Sequence, residues 1–245
     1  MPFKNKKILL IIAHPDDEWF LAEKLTEAKS VYILVLSTSC SNFQKRKSET
    51  NNFLNRKKFK HISVEFLGDR EKIWDGECLN YIDKLSSEIK NSIKEQLPDL
   101  IVCHDYENGH PDHDAAFFAT LIASNESVIE LYGFCSYRRG AIGLPTFFKP
   151  LNSKSEFFIL KFSFKELIKM FFNSLFYKSE FTTMFVLGTV GVFFIFCRGG
   201  MRLRNAIQDK DILSIPDNNS WPFTRYKTSR EAYKAALNVI KLNCR

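Results

Sequence analysis

The stretch Ile8-Leu9-Leu10-Ile11-Ile12-Ala13, followed at once by His14-Pro15-Asp16-Asp17-Glu18, decides how this chain is read. An unbroken apolar run is expected of a parallel strand covered on both faces. The basic start Met1-Pro2-Phe3-Lys4-Asn5-Lys6-Lys7 imitates a secretory signal, but the run after it is too short and His14, Asp16 and Asp17 end it. The run is therefore a first buried strand, and the histidine and carboxylates lie just beyond its carboxyl end.

Outward from that strand the pattern alternates. Residues 18–29 read as a helix, 31–37 as a second buried strand, 45–59 as a polar, basic helix and 61–67 as a third strand. Residues 81–95 read as a helix stopped by Pro98, 100–103 as a fourth strand, 112–124 as a helix and 130–137 as a fifth strand. Strands alternating with helices through short loops predict an α/β fold, a parallel sheet with helices on both faces. In such sheets ligands sit beyond the carboxyl ends of strands. Residues 14–17 follow strand one and 104–113 follow strand four, so both point to one edge.

The chain's 245 residues, 45% hydrophobic and 26% charged, suit one globular domain over 1–245, with a core at 7–145 and a Phe-rich part at 146–245. The net charge of +7 favours anionic partners. The basic residues are dispersed and no nucleic-acid motif is present, so nucleic acid is not expected. The six cysteines form no C-x-x-C pair and no disulfide framework, which predicts reduced thiols in a cytoplasmic protein. Past residue 145 the pattern changes. Residues 157–162 read as a strand and 163–177 as an amphipathic helix. Residues 181–197 are almost wholly apolar, with Gly188 and Gly191 inside and Arg198, Arg202 and Arg204 after. That apolar C-terminal extension is expected to be buried core or an active-site wall. Peripheral membrane contact is the alternative, and a span, for which 17 residues is short, comes third. Residues 229–240 predict a last helix, capped by Thr228 with Glu231.

Catalytic zinc uses three protein ligands and an open position for water, and a nearby carboxylate can accept the water's proton. His14, Asp16 and Asp17 supply one imidazole and two carboxylates; His110-Pro111-Asp112-His113 supplies two more imidazoles and another carboxylate. Adjacent aspartates point in different directions, so one can ligate while the other faces the water. Alone, the first segment also fits a turn whose aspartates cap the next helix. The second segment argues against that.

Together Ala13–Glu18 and His110–His113 resemble the LmbE-like, or PIG-L, N-deacetylases, which carry an A-H-P-D-D-E segment and a later H-x-D-H segment. The resemblance covers roughly residues 7–137 and implies a Rossmann-like sheet and a Zn2+ site, with another divalent metal as the alternative. It implies His14, Asp17 and His113 as metal ligands and Asp16 as general base. His110 becomes the group that stabilises the oxyanion and protonates the leaving amine, oriented or tuned by Asp112. Arg46 and Glu49 match an R-x-x-E element whose Arg reaches substrate, and Asp69 or Asp75 matches an acidic substrate contact. Tyr106 and Asn108, with Glu107 between them, are expected to touch the sugar. His104 is either site lining or structural, His61 is surface, and Arg138 and Arg139 either bind phosphate or are solvated. The nearest counterpart of the family's Ser-Gln pair is Ser179-Glu180. The implied reaction removes the N-acetyl group from an amino sugar, N-acetylglucosamine-like, on a small, nucleotide-linked or lipid-linked carrier. An inactive sugar-binding member, or a membrane-associated component of glycan biosynthesis, is the alternative.

Overall fold

A computed structural model of the chain describes residues 2–38, 42–107, 109–139, 145–148, 157–205 and 230–243. The expectations on Asn108 and Thr228, and the side chains of Arg138 and Arg139, fall outside what is described.

The central strand is β1 (Lys7–Ile12). It pairs in parallel with β2 (Ser30–Val35) on one side and β4 (Leu100–His104) on the other. β3 (Ile62–Phe66) extends the sheet beyond β2, and β5 (Glu130–Phe134) extends it beyond β4, both parallel. A short antiparallel hairpin follows, β6 (Tyr137–Arg139) with β7 (Pro145–Phe147). β8 (Phe157–Leu160) and β9 (Met201–Asn205) then complete a seven-stranded sheet of order β3-β2-β1-β4-β5-β9-β8, both antiparallel to their neighbours. The expected parallel α/β sheet is thus the core of a mixed one. β9 was not anticipated, and the strand predicted over 130–137 divides into β5 and β6.

Both faces of β1 are covered, as its unbroken apolar run requires. Ile8, Leu10 and Ile12 join a core with Phe20, Phe53 and Met170. Leu9 and Ile11 join another with Leu85, Phe117 and Leu237. The alternation is the two-residue period of a strand. On the first face lie α1 (Ala22–Leu25), α2 (Phe43–Leu54) and α6 (Phe164–Ser174). On the second lie α4 (Ile82–Gln96), α5 (Pro111–Ser124) and α9 (Arg230–Asn243), while α3 (Leu67–Glu71) follows β3. The helix predicted over 18–29 is broken into a 3-10 turn, Asp17–Phe20, and the four-residue α1. α6 begins with a capping box in which Ser163 and Glu166 satisfy each other's backbone N–H groups.

The apolar extension is one continuous helix, Lys178–Cys197. It runs through α7 (Phe181–Val186), a π-helical segment (Leu187–Gly191) and α8 (Val192–Cys197). The reading of 181–197 as buried core holds for one of its faces only. Met184, Leu187 and Ile195 are buried, while Phe181, Phe185, Phe193 and Phe196 are exposed.

β9 is fixed by charge. Arg204 and Asp105 are both fully buried, with Arg204 Nε 2.8 Å and 3.0 Å from the two carboxylate oxygens. Gly133 on β5 leaves room for this pair, since a Cβ there would lie 3.1 Å from Asp105.

Candidate active site

Because β1 and β4 are parallel neighbours, the segments after them leave the sheet at the same edge. His14 follows β1 directly, and its ring centroid lies 4.7 Å from that of His110 and 5.4 Å from that of His113. His110 is the N-cap of α5, with Pro111 opening the helix. His113 lies in the first turn of that helix.

Donor atoms of His14, Asp17 and His113 all lie within 4.8 Å of one another, and all three residues are buried. Asp17 Oδ2 accepts from the His14 backbone N–H at 2.9 Å, lies 3.1 Å from His104 Nε2 and is 3.8 Å from His113 Nε2. His113 Nδ1 is 2.8 Å from Glu107 Oε2, so an ionised Glu107 holds the proton on Nδ1 and leaves the Nε2 lone pair towards Asp17. Two imidazoles and a carboxylate are the donor set of a catalytic zinc site, so the residues fit a divalent cation. His14, Asp75 and His110 form an adjoining trio with the same spacing.

Asp75, not Asp69, belongs to this cluster. Asp75 Oδ1 is 3.2 Å from His14 Nε2 and 4.0 Å from His110 Nε2, whereas Asp69 pairs with Lys47 at 2.7 Å. The Asp112 carboxylate accepts from the backbone N–H of Gly76 at 2.7 Å and of Cys78 at 3.1 Å, and lies 3.2 Å from His14 Nε2. Its carboxylate therefore meets His14. It is the Asp112 backbone N–H that donates to His110 Nδ1, at 3.2 Å. The neutral His110 ring then carries its proton on Nε2, facing the cluster.

Asp16 sits at φ 102°, left-handed backbone that costs a non-glycine residue about 1–3 kcal/mol. Several contacts hold it there. Its N–H donates to Glu18 Oε2 at 2.9 Å, and Arg46 Nη2 donates to its Oδ2 at 2.5 Å. Glu18 is fully buried and accepts from the Tyr177 hydroxyl. Glu49 accepts from Ser179 N–H at 3.1 Å, and Glu180 is 3.9 Å from Arg46. The R-x-x-E element on α2 thus meets Ser179-Glu180 directly.

Burial pushes Asp16 up to about 7 although Arg46 opposes it. Burial also works against ionisation of Asp17, yet His104 and His113 hold it well below the usual range. His14 is raised despite burial, chiefly by Asp75 and Asp112. Burial and the neighbouring imidazoles lower His110. Burial lowers His113 to about 4 and raises Glu107 to about 8.

Tyr106 is expected from its loop position to touch the sugar. Its ring is instead fully buried against Phe118, centroids 5.5 Å apart, where a substrate cannot reach it. His104 belongs to the site, its ring stacked 3.8 Å from that of His113. His61 is half-buried rather than a free surface residue, with Nε2 2.9 Å from the Leu25 carbonyl. Glu107 was read as a sugar contact but serves His113, and no spacing signal marks that role. The bond from Tyr177 to Glu18 was not foreseen at all.

Residues 9–124 match the family model described as PIG-L, GlcNAc-PI de-N-acetylase. This segment belongs to the PIG-L family. Among solved structures, the chain resembles a deacetylase of the teicoplanin pathway in its bog complex, with a TM-score of 0.61 and 13% identity over 80% of this chain and 95% of that one. It also resembles the A40926 pseudoaglycone deacetylase Dbv21, with a TM-score of 0.59 and 17% identity over 82% and 96%. The zinc inhibited form of teicoplanin deacetylase Orf2 gives 0.56 and 13% over 80% and 96%. At such identities the likeness is one of fold. No curated protein matches the chain. The PIG-L segment contains both halves of the His/Asp cluster and Arg46. It ends at the close of α5, so Tyr177, Ser179 and Glu180 reach the site from outside it.

Proposed function

We propose that residues 1–245 form a single-domain, metal-dependent N-deacetylase that hydrolyses the N-acetyl group of an amino sugar, N-acetylglucosamine-like. One observation carries the reading: the PIG-L segment gathers His14, Asp17 and His113 around one point, with Asp16 and His110 beside it. His14, Asp17 and His113 would hold Zn2+, or another divalent metal. When bound, the metal lowers the pKa of water and polarises the amide carbonyl.

The chain's own residues supply the rest. Asp16, ionised, accepts a proton from the attacking water as the new C–O bond forms. His110 donates its Nε2–H to the carbonyl oxygen as negative charge develops there. Burial and its neighbours keep this ring neutral, so its suited role is hydrogen-bond donor. The proton held on Asp16, rather than one from His110 as the sequence leads one to expect, then passes to the amide nitrogen because the His110 ring is neutral, the C–N bond breaks, and acetate and the free amine leave. Arg46 steadies Asp16. A candidate place for the sugar is a groove of about 490 Å³ lined by Thr38, Asn42, Asp69 and the half-exposed Trp74, which directly precedes Asp75 in sequence. An exposed indole suits the apolar face of a sugar ring. The four described cysteines are free, in keeping with a reducing compartment, and we place the enzyme in the cytoplasm.

The test is acetate release together with metal content. Asp16→Ala is expected to keep the metal and lose activity; His14→Ala is expected to lose both. Full acetate release by Asp16→Ala would overturn the assignment of the base.

A further inference from the structure

The C-terminal helices are apolar on two sides. Towards the domain, α6 buries Leu167 and Met170, and the helix Lys178–Cys197 buries Met184, Leu187, Gly191 and Ile195. Away from it, the same period repeats in exposed residues. On α6 these are Phe164 (70% exposed), Ile168 and Phe172, at i, i+4 and i+8. On the long helix they are Phe181, Phe185, Phe193 (62% exposed) and Phe196. A helix on the surface of a soluble domain puts polar residues on that side.

The two stripes form one surface. α6 crosses the long helix at Gly188, where a Cβ would collide with the Ser174 hydroxyl. Beside the crossing, the Phe171 ring bridges Phe172, at 5.3 Å, and Phe185, at 6.4 Å. A contiguous apolar face with this many aromatics is an interaction surface, not scattered exposure.

Charge selects the occupant. Outside the buried Arg204–Asp105 pair, residues 157–205 contain six Lys or Arg and two acidic residues. Both acids are engaged: Glu166 by Lys24 at 2.7 Å, and Glu180 near Arg46 at 3.9 Å. Lys161, Lys165, Lys169 and Lys178 are exposed, Lys165 and Lys169 each following a residue of the stripe on α6 and Lys169 lying 3.7 Å from Glu23. A second copy of the chain would set this cationic rim against its own kind, whereas an anionic lipid surface neutralises it. The long helix is long and apolar enough to cross a bilayer, but its inner stripe is packed on the domain. Its first residues are also held, Ser179 N–H by Glu49 at 3.1 Å. It therefore lies along the protein rather than leaving it.

The face begins at the site. Phe181 directly follows Glu180, which neighbours Arg46, which holds Asp16. We propose that α6 and the helix Lys178–Cys197 dock the protein flat on an anionic lipid bilayer, with the rim of the Asp16 site at the headgroup level.

Vesicle flotation of the full chain tests it, with phosphatidylcholine alone and with phosphatidylcholine plus phosphatidylglycerol. The wild type is expected to float with the anionic vesicles and to be released by salt. Phe172→Gln, Phe185→Gln and Phe193→Gln should each weaken binding on the order of tenfold, and together abolish flotation. The triple variant should keep its unfolding temperature and its acetate release from a soluble N-acetyl sugar. Wild type that floats with neither vesicle, or a triple variant that floats as well as wild type, overturns the docking. So does a wild-type dimer, seen by sedimentation, that binds no vesicle and dissociates in the triple variant. Flotation is read without substrate and acetate release without vesicles, so failure of one reading does not hide failure of the other.

Discussion

Glu107→Gln removes one charge at nearly constant volume, and the site gives that charge a defined task. Glu107 Oε2 is 2.8 Å from His113 Nδ1, and both side chains are buried. Once ionised, as a cation on His113 favours, the carboxylate accepts Nδ1–H, leaves the Nε2 lone pair facing Asp17 and makes the ring a stronger donor to a metal. A glutamine carbonyl accepts the same proton without the charge. Its amide, turned the other way, donates to Nδ1 and forces the proton onto Nε2, the wrong tautomer for a ligand. Partners of this kind are worth about 10- to 100-fold in metal affinity, or about 1.4–2.7 kcal/mol. The variant should therefore bind zinc about 10- to 100-fold more weakly while remaining folded, measured by competition with a chromophoric chelator and without turnover. A second readout follows from ionisation. Burial holds Glu107 at about 8, so without metal it is largely protonated at neutral pH. A cation on His113 favours its ionised form, so binding releases a proton and tightens as pH rises towards 8. Glutamine has no such proton, and that part of the pH dependence should vanish. Unchanged zinc affinity together with unchanged proton release in Glu107→Gln would refute the role.

Two further perturbations address the base and the sheet. Asp16 must be ionised to accept a proton, so activity rises with pH through its pKa, which burial raises and Arg46 lowers. Arg46→Gln removes the opposing cation and should move the acid limb of kcat/KM up by about 1–3 pH units, with Arg46→Lys moving it less; a limb that stays or moves down refutes the assignment. Arg204→Met leaves Asp105 charged and buried opposite an apolar side chain. That should cost about 3–5 kcal/mol and lower Tm by roughly 6–20 °C, a loss that thermal unfolding either shows or excludes.

The parallel core was legible because Ile8–Ala13 carries its own instruction: no position in it faces water. The site edge was legible because both motif segments follow strands. β9 was not, since Met201-Arg202-Leu203-Arg204 reads locally as a basic tail after an apolar segment. Asp105, distant in sequence, is what makes Arg204 a buried residue. Tyr106 failed in the opposite way. A tyrosine on a loop before the motif suggests a ligand contact, but packing under α5 decided its place. Asp69 and Asp75 are equivalent by spacing, and only the fold brings Asp75 to His14. The helix expected over 18–29 is instead a 3-10 turn and a four-residue helix, entered through Asp16 in a left-handed conformation that local propensity does not carry.

That strained aspartate is held partly by residues far beyond the motif. Tyr177, just past α6, bonds Glu18, and Glu18 bonds the Asp16 N–H. Ser179 bonds Glu49, one turn along α2 from Arg46. Glu180 faces Arg46, and Arg46 bonds Asp16. Both chains of contact start between residues 177 and 180, the junction between the two helices of the apolar face. The local cost of holding Asp16 at φ 102° is thus met by the C-terminal segment, beyond the residues that match the family model. A change that loosens this junction reaches Asp16 through hydrogen bonds without touching His14, Asp17 or His113. Anything that orders the two helices, a lipid surface included, acts on the same junction in the opposite sense.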